Sequence, residues 1–251
     1  MALTFSPPKI TTDGLVLYLD AGNPKSYINS ATTITNLLFS DSLVLYNNPS
    51  FSNENFGVLD FDGVDDYIGN GVYPNPLPNN ERYLFQNTDS FSMSIWFKLD
   101  TFSAGSQTPL MGLGNSSVQL GYFITTINSS QKIRFNIVSG IFTTVTGQFY
   151  IDTTDTINLN EWVNVICTYD GSQNINGAKV YINGVDNGAT RTTTGTGLAD
   201  DISYPTLPLK VFRGRSTGVG NGKVSNVSIY NKELSPSEVL QNYNALKYRF
   251  L

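Results

Sequence analysis

The 251-residue chain reads as an all-β domain, and three observations carry that reading. Short runs rich in Val, Ile, Thr, Tyr and Phe alternate in polarity. Asn-Gly, Asp-Gly and Pro punctuate them at the spacing of an antiparallel sheet protein. Helical periodicity is confined to the C-terminal end.

The elements follow in order. Leu15 to Leu19 is an unbroken apolar run. In Phe91 to Lys98, the residues Phe91, Met93, Ile95 and Phe97 point one way, and Ser92, Ser94, Trp96 and Lys98 the other, which predicts a half-buried strand. Ile133, Phe135 and Ile137 alternate likewise, as do Val163, Val165, Cys167 and Tyr169, then Val180 and Ile182. Ile182-Asn183-Gly184-Val185 predicts a two-residue hairpin, because Asn-Gly enters left-handed conformations at least cost. Asp170-Gly171, Asn176-Gly177 and Asn221-Gly222 read as further turns or short loops. Ser235, Pro236 and Glu238 form a helix start with a capping box, followed by an apolar stripe of Val239, Leu240, Tyr243 and Leu246. This helix is expected to lie across the sandwich and bring the chain ends together. Residues 73–87 and 186–208, rich in Pro or in Thr and Gly, read as long loops. The division is an N-terminal arm over 1–12 and one domain over 13–251.

Composition excludes whole classes of chemistry. There is no histidine, so imidazole bases, Ser-His-Asp and Cys-His nucleophiles and His-bound zinc are absent. Cys167 is the one cysteine, so no internal disulfide or cysteine metal cluster forms, and its apolar setting predicts a buried thiol. The net charge is -5 with 14% charged residues, against roughly 25% in average proteins, which argues against nucleic acid as a partner. Asn, Thr and Ser number 27, 25 and 24, so solubility comes from neutral polar groups. The first twenty residues lack a basic start and a long apolar run, so neither a signal peptide nor membrane insertion is expected.

A constellation of blocks adds a resemblance. Phe61-Asp62-Gly63-Val64-Asp65-Asp66-Tyr67-Ile68 is followed by Ser90 to Lys98. Glu161-Trp162-Val163-Asn164-Val165 then leads to Thr168-Tyr169-Asp170-Gly171, and Lys179 to Val185 follows. Gly222 to Ser235 closes the series, with Glu238 beyond. In this order the blocks resemble the laminin G-like branch of the concanavalin A-like lectin and glucanase superfamily. The resemblance implies a jelly-roll sandwich of two antiparallel sheets with a short C-terminal helix. More narrowly, Gly14-Leu15-Val16-Leu17-Tyr18-Leu19-Asp20-Ala21-Gly22-Asn23-Pro24-Lys25-Ser26-Tyr27 resembles the opening of stand-alone laminin G-like proteins of bacteriophages, especially cyanophages. The likeness breaks at residues 34–46, and 101–160 is long and poorly matched.

The resemblance also implies where chemistry sits. Its relatives often hold calcium at a loop rim, on carboxylate and carbonyl oxygens. Asp20, at the end of the first strand, and Asp65 and Asp66, in the Phe-Asp-Gly block, are the candidate ligands; the competing reading is that they cap turns through their own backbone. Tyr73, Tyr83 and Tyr204 lie in segments able to offer aromatic faces to a sugar, and the competing reading is a structural tyrosine. Glucanases of the superfamily place two or three carboxylates on one strand. The five glutamates here, Glu54, Glu81, Glu161, Glu233 and Glu238, form no such run.

The expectation is therefore a non-enzymatic virion surface protein, serving as head decoration, tail or fibre component. Its partners would be other virion proteins or a host-surface glycan, and homo-oligomers fit repeated display on a particle. The alternatives are a calcium-assisted glycan-binding module of a bacterial extracellular protein and, less favoured, a polysaccharide hydrolase.

Overall fold

The computed structural model describes residues 8–39, 41–72, 75–76, 80–113, 120–141, 144–198, 202–203, 208–214 and 218–251. Its strands are, in chain order, β1 Leu15–Asp20, β2 Thr33–Thr35, β3 Ser42–Tyr46, β4 Ser50–Ser52, β5 Val58–Asp62, β6 Tyr67–Gly69, β7 Gly71–Val72 and β8 Asn75–Pro76. Next come β9 Phe91–Thr101, β10 Pro109–Leu113, β11 Gly121–Ile127, β12 Lys132–Ile141, β13 Thr144–Thr156 and β14 Val163–Tyr169. The last are β15 Ala178–Ile182, β16 Val185–Asp186, β17 Gly188–Gly195, β18 Ile202–Ser203, β19 Leu209–Val211 and β20 Asn221–Tyr230, before helix α1 at Pro236–Leu246.

Two large sheets result. The first runs β16-β15-β14-β9-β20-β5-β4, with β1 also on β20; the second runs β17-β13-β12-β11-β10-β19-β6-β3-β2, with β18 beside β12. Apart from the parallel β12–β18 pair, the ladders of both sheets are antiparallel. This is the jelly-roll sandwich that the resemblance implies, and the alternating runs supply its core strands. Phe91, Met93, Ile95 and Phe97 of one sheet meet Tyr122, Phe135 and Phe149 of the other in one apolar core, where the Phe91 and Tyr122 rings lie 4.7 Å apart.

The strand at Phe91–Thr101 is buried on both faces rather than one. Its outer Trp96 is covered by Phe250, stacked at 4.2 Å, and Tyr243, at 5.6 Å. Period-two alternation reads only which face is apolar, and here the C-terminal segment covers the second face with aromatic side chains. The helix itself has the expected cap: Ser235 Oγ accepts from the Glu238 N–H, and Glu238 Oε2 accepts from the Ser235 N–H at 2.9 Å. Its stripe is rotated from the prediction, with Val239, Asn242 and Ala245 buried and Leu240 exposed. Asn242 explains the rotation, because it is a polar anchor: Thr11 N–H donates to its Oδ1 at 2.7 Å and its Nδ2 donates to the Tyr230 hydroxyl at 3.0 Å. The segment at Thr11 and the C-terminal helix are thereby tied to β20 of the first sheet.

β1 and β5 share the same flank of β20 end to end, β1 against Asn226–Tyr230 and β5 against Asn221–Val224. Where they abut, the backbones of Gly22 and Gly57 nearly touch: a Cβ on Gly57, at φ 118°, would stand 2.6 Å from the Gly22 Cα. Arg249 seals this junction.

The hairpin at Asn183-Gly184 forms as expected, with φ of 50° and 80° and Ile182 facing Val185. Asn221-Gly222 is not a turn. It opens β20 at a bulge against β9, where a Cβ on Gly222 would stand 2.1 Å from the Lys98 carbonyl. Part of the predicted loop 186–208 is likewise structured, since Gly188–Gly195 is the edge strand β17 paired with β13. Its run of β-branched threonines suits an extended edge, whose solvated face needs no apolar alternation. Cys167 is fully buried, and burial pushes its thiol well up from its ordinary value.

Candidate functional site

The second sheet carries a cleft of about 430 Å³ on its outer face. Register builds it. Ile133, Phe135, Ile137, Phe149 and Ile151 fill the core, so alternation turns Arg134, Asn136, Gln148, Tyr150 and Asp152 outward. Tyr150, Asn136 and Phe123 then stand opposite one another on β13, β12 and β11, and Asp152, Arg134 and Thr125 form the adjacent row. Gly112 continues the first row on β10 and leaves room for the neighbouring ring, since a Cβ there would meet Phe123 Cδ1 at 2.8 Å.

The cleft is pre-ordered. Arg134 grips Asp152 with two hydrogen bonds, Nε to Oδ1 at 2.6 Å and Nη2 to Oδ2 at 2.7 Å, and its guanidinium lies 3.8 Å from the centre of the Tyr150 ring. The bond to Asp152 outweighs burial and holds Arg134 above its ordinary value. One wall, residues 105–107, is pinned by Asn128, whose Nδ2 donates to the Gly105 carbonyl at 2.7 Å. Arg213, Gly214 and Gly218 line the cleft beside this wall: Gly214 N–H donates to the Gly218 carbonyl at 2.9 Å, and a Cβ on Gly218 would stand 3.6 Å from the Gln107 carbonyl.

Two polar atoms of the lining lack partners. Asn136 is 5% exposed and Thr125 8%, yet Asn136 Oδ1 and Thr125 Oγ1 make no hydrogen bond. A buried polar group left so costs roughly 1–3 kcal/mol, an expense that a folded chain keeps where a ligand or ordered water completes the bonding. Among the described lining residues there is no carboxylate.

A second feature lies at the turn between β5 and β6. Asp62, Asp65 and Asp66 bring one carboxylate oxygen each within 4.8 Å of one another. Asp62 Oδ1 accepts from the Val64 N–H at 2.8 Å, and Asp66 Oδ2 accepts from the Asp62 N–H at 3.3 Å, so both also cap the turn. Burial, opposed by that N–H and reinforced by the Asp62 and Asp65 charges, raises the Asp66 carboxyl above its usual range. The donor set fits a hard divalent cation: three carboxylate oxygens converge, and their mutual repulsion is what such an ion would relieve.

The sequence candidates divide accordingly. Asp65 and Asp66 are brought together, with Asp62 of the same block, which was not among the sequence candidates. Asp20 is not in this group. It is buried and held by Arg249, whose Nη1 donates to both its oxygens at 3.0 and 3.1 Å. Tyr83 is 1% exposed and so offers no ring face to a sugar; its hydroxyl donates to Asp41 at 3.2 Å and its carbonyl accepts from the Tyr122 hydroxyl. Tyr73 and Tyr204 lie outside the described residues. The outer-face cleft was missed altogether. Its signal was the polar parity of Arg134, Asn136, Gln148 and Tyr150 within the long segment that matched the resemblance least.

The molecule is thus a two-sheet jelly roll with a polar, aromatic cleft on one outer face. The profile of the concanavalin A-like lectin/glucanases superfamily, laminin G type 3, matches residues 71–240, and the chain belongs to this family. A comparison with curated proteins finds no match. Among solved structures, Trypanosoma rangeli sialidase superposes with a TM-score of 0.65 at 16% identity, over 95% of this chain and 33% of the sialidase. The same enzyme in complex with sialic acid gives 0.64 at 15%, over 98% and 36%. The binding domain of botulinum neurotoxin serotype G gives 0.62 at 12%, over 90% and 50%. The chain thus spans about a third to a half of the structures that it matches, and at these identities the likeness is one of fold.

Proposed function

We propose that this chain is a non-enzymatic glycan-binding protein, and that the cleft on the outer face of the second sheet holds the sugar. The observation that carries the reading is the convergence there of the half-buried Tyr150 ring, the Gln148 amide, and two buried polar atoms, Asn136 Oδ1 and Thr125 Oγ1, without partners among the described residues. Pockets of about 300–1,000 Å³ lined by apolar faces with a few placed polar groups are the usual form of a small-ligand site. The family is one of lectins and glucanases, and the fold is shared with a sialidase solved with sialic acid, which supports a saccharide as ligand. Glycoside hydrolysis needs an acid and a nucleophile or base beside the scissile bond, and the carboxylate beside the described lining, Asp152, is engaged by Arg134, so binding without turnover is the reading proposed.

Calcium at Asp62, Asp65 and Asp66 belongs to the same proposal; the ion would brace the β5–β6 turn. Display on a bacteriophage virion rests on the resemblance of Gly14 to Tyr27, and the test is mass spectrometry of purified particles, where absence of the protein removes that location. The glycan reading itself is tested on an array of microbial surface polysaccharides. Binding by the wild-type chain, weakened at least tenfold by Tyr150→Ala with the melting curve retained, is the expected result. No binding to any array sugar contradicts it, and new reducing ends released from a bound glycan would restore the hydrolase alternative.

A further inference from the structure

The charge of the cleft is more specific than its shape. Arg134 is neutralised by its bidentate partner Asp152, so its role is to fix the Tyr150 ring. The other side differs. Arg213 lines the cleft, and Lys210, on the neighbouring strand β19, stands opposite Gly112 on the same outer face. Both cations lie over one ring, that of Tyr67, at 5.6 and 5.9 Å from its centre. Tyr67 is in turn stacked on Tyr46 at 4.3 Å. Among the described residues neither Lys210 nor Arg213 has a carboxylate partner. Burial first, and then the Arg213 charge, lower Lys210 from its ordinary value, so its ammonium is held at a cost. Arg213 in the lining and Lys210 on the adjoining strand are two half-buried cations beside a cleft whose described lining holds no acid, a setting suited to an anion.

We propose that the glycan bound in this cleft is acidic, its carboxylate or sulfate group placed against Arg213 and Lys210 while its ring lies toward Phe123 and Tyr150. The inference rests on the cleft being the glycan site and adds the chemical class of the ligand. A guanidinium presents two N–H groups to a planar carboxylate or to two sulfate oxygens, and an adjoining ammonium adds a point charge. The Tyr67 ring, backed by Tyr46, attracts both cations. With a chain of net charge -5, attraction for an anion cannot come from the molecule as a whole and must be local.

Isothermal titration of the full chain with trigalacturonate, a galactose-6-sulfate oligosaccharide and neutral galactotriose tests this. The expected result is at least tenfold tighter binding of one or both acidic probes, weakening as salt rises. In Lys210→Gln/Arg213→Gln that preference collapses toward one, whereas Arg213→Lys, which keeps the charge, retains most of it. Melting curves of each variant separate loss of the site from loss of the fold. Equal affinity for acidic and neutral probes, or a preference that survives the double variant, overturns the inference and leaves the cleft as a neutral-sugar site. Failure of all three probes together with a blank array removes the glycan reading as well.

Discussion

Asn136 shows at a single position how stability and function oppose each other. Its Oδ1 is buried without a partner, so the folded chain carries a desolvation cost that leucine, nearly the same size, would not. Asn136→Leu is expected to raise the melting temperature, by the equivalent of about 1–3 kcal/mol, and to weaken glycan binding at least tenfold. Lower stability, or unchanged binding, would contradict its assignment to the cleft. Asp66 makes a matching case at the β5–β6 turn. Its carboxyl is raised in the folded chain, mainly by burial, so the folded state holds the proton to higher pH than the unfolded state does. The associated stability is full below the ordinary carboxylate range and is lost as pH rises through the raised value. Calcium should reverse that loss. Added calcium is expected to raise the melting temperature at neutral pH in the wild type but not in Asp66→Asn, and the variant should melt higher than the wild type once calcium is chelated. A wild-type melting curve indifferent to calcium would remove the ion from the account.

At the scale of elements, the C-terminal segment is a clamp. Arg249 donates to Asp20, to the Asn55 carbonyl at 3.1 Å and to the Gly57 carbonyl at 3.2 Å, and so joins the last turn of the chain to the seam between β1 and β5. Asp20 is buried, and losing its partner would leave an uncompensated charge. Arg249→Met is therefore expected to cost about 3–5 kcal/mol in chemical denaturation, with Asp20→Asn in the same background recovering part of it. A loss below 1 kcal/mol would mean that the pair is merely tolerated. The helix cap is a smaller instance: Ser235→Ala should cost about 1 kcal/mol. These two features differ in how far the sequence reveals them. The capping box is local, four residues long, and was legible. The Arg249–Asp20 pair spans nearly the whole chain, so nothing near Asp20 distinguished a salt-bridged aspartate from a metal ligand. For the same reason Leu240 looked like core, because the burial of Asn242 depends on Thr11 and Tyr230 far away in sequence.

Across the whole molecule, the sandwich was legible because its core strands are simple: Phe91 to Phe97 and Val163 to Tyr169 repeat apolar residues every second position, and the blocks that carry the resemblance lie mostly on the first sheet. The site was less legible because it is written on the second sheet's outer face. There the meaningful residues are the polar half of each alternation, Arg134 and Asn136 on β12 and Gln148 and Tyr150 on β13, which a search for apolar stripes discards as solvent-facing. Turns drew attention to Tyr73, Tyr83 and Tyr204 instead, although Tyr83 proves to be core. Only the pairing register shows that Tyr150, Asn136 and Phe123 share one row, and pairing between strands is a long-range property.

The central claim, that the outer-face cleft is the binding surface, is met most directly by amide chemical-shift mapping of the full chain during titration with the tightest glycan from the array. The largest shifts are expected on the amides of Thr125, Asn136, Tyr150 and Arg213, with little movement on the first sheet. Shifts centred on Asp62 to Asp66, or on β14 and β15, with the cleft silent would contradict it.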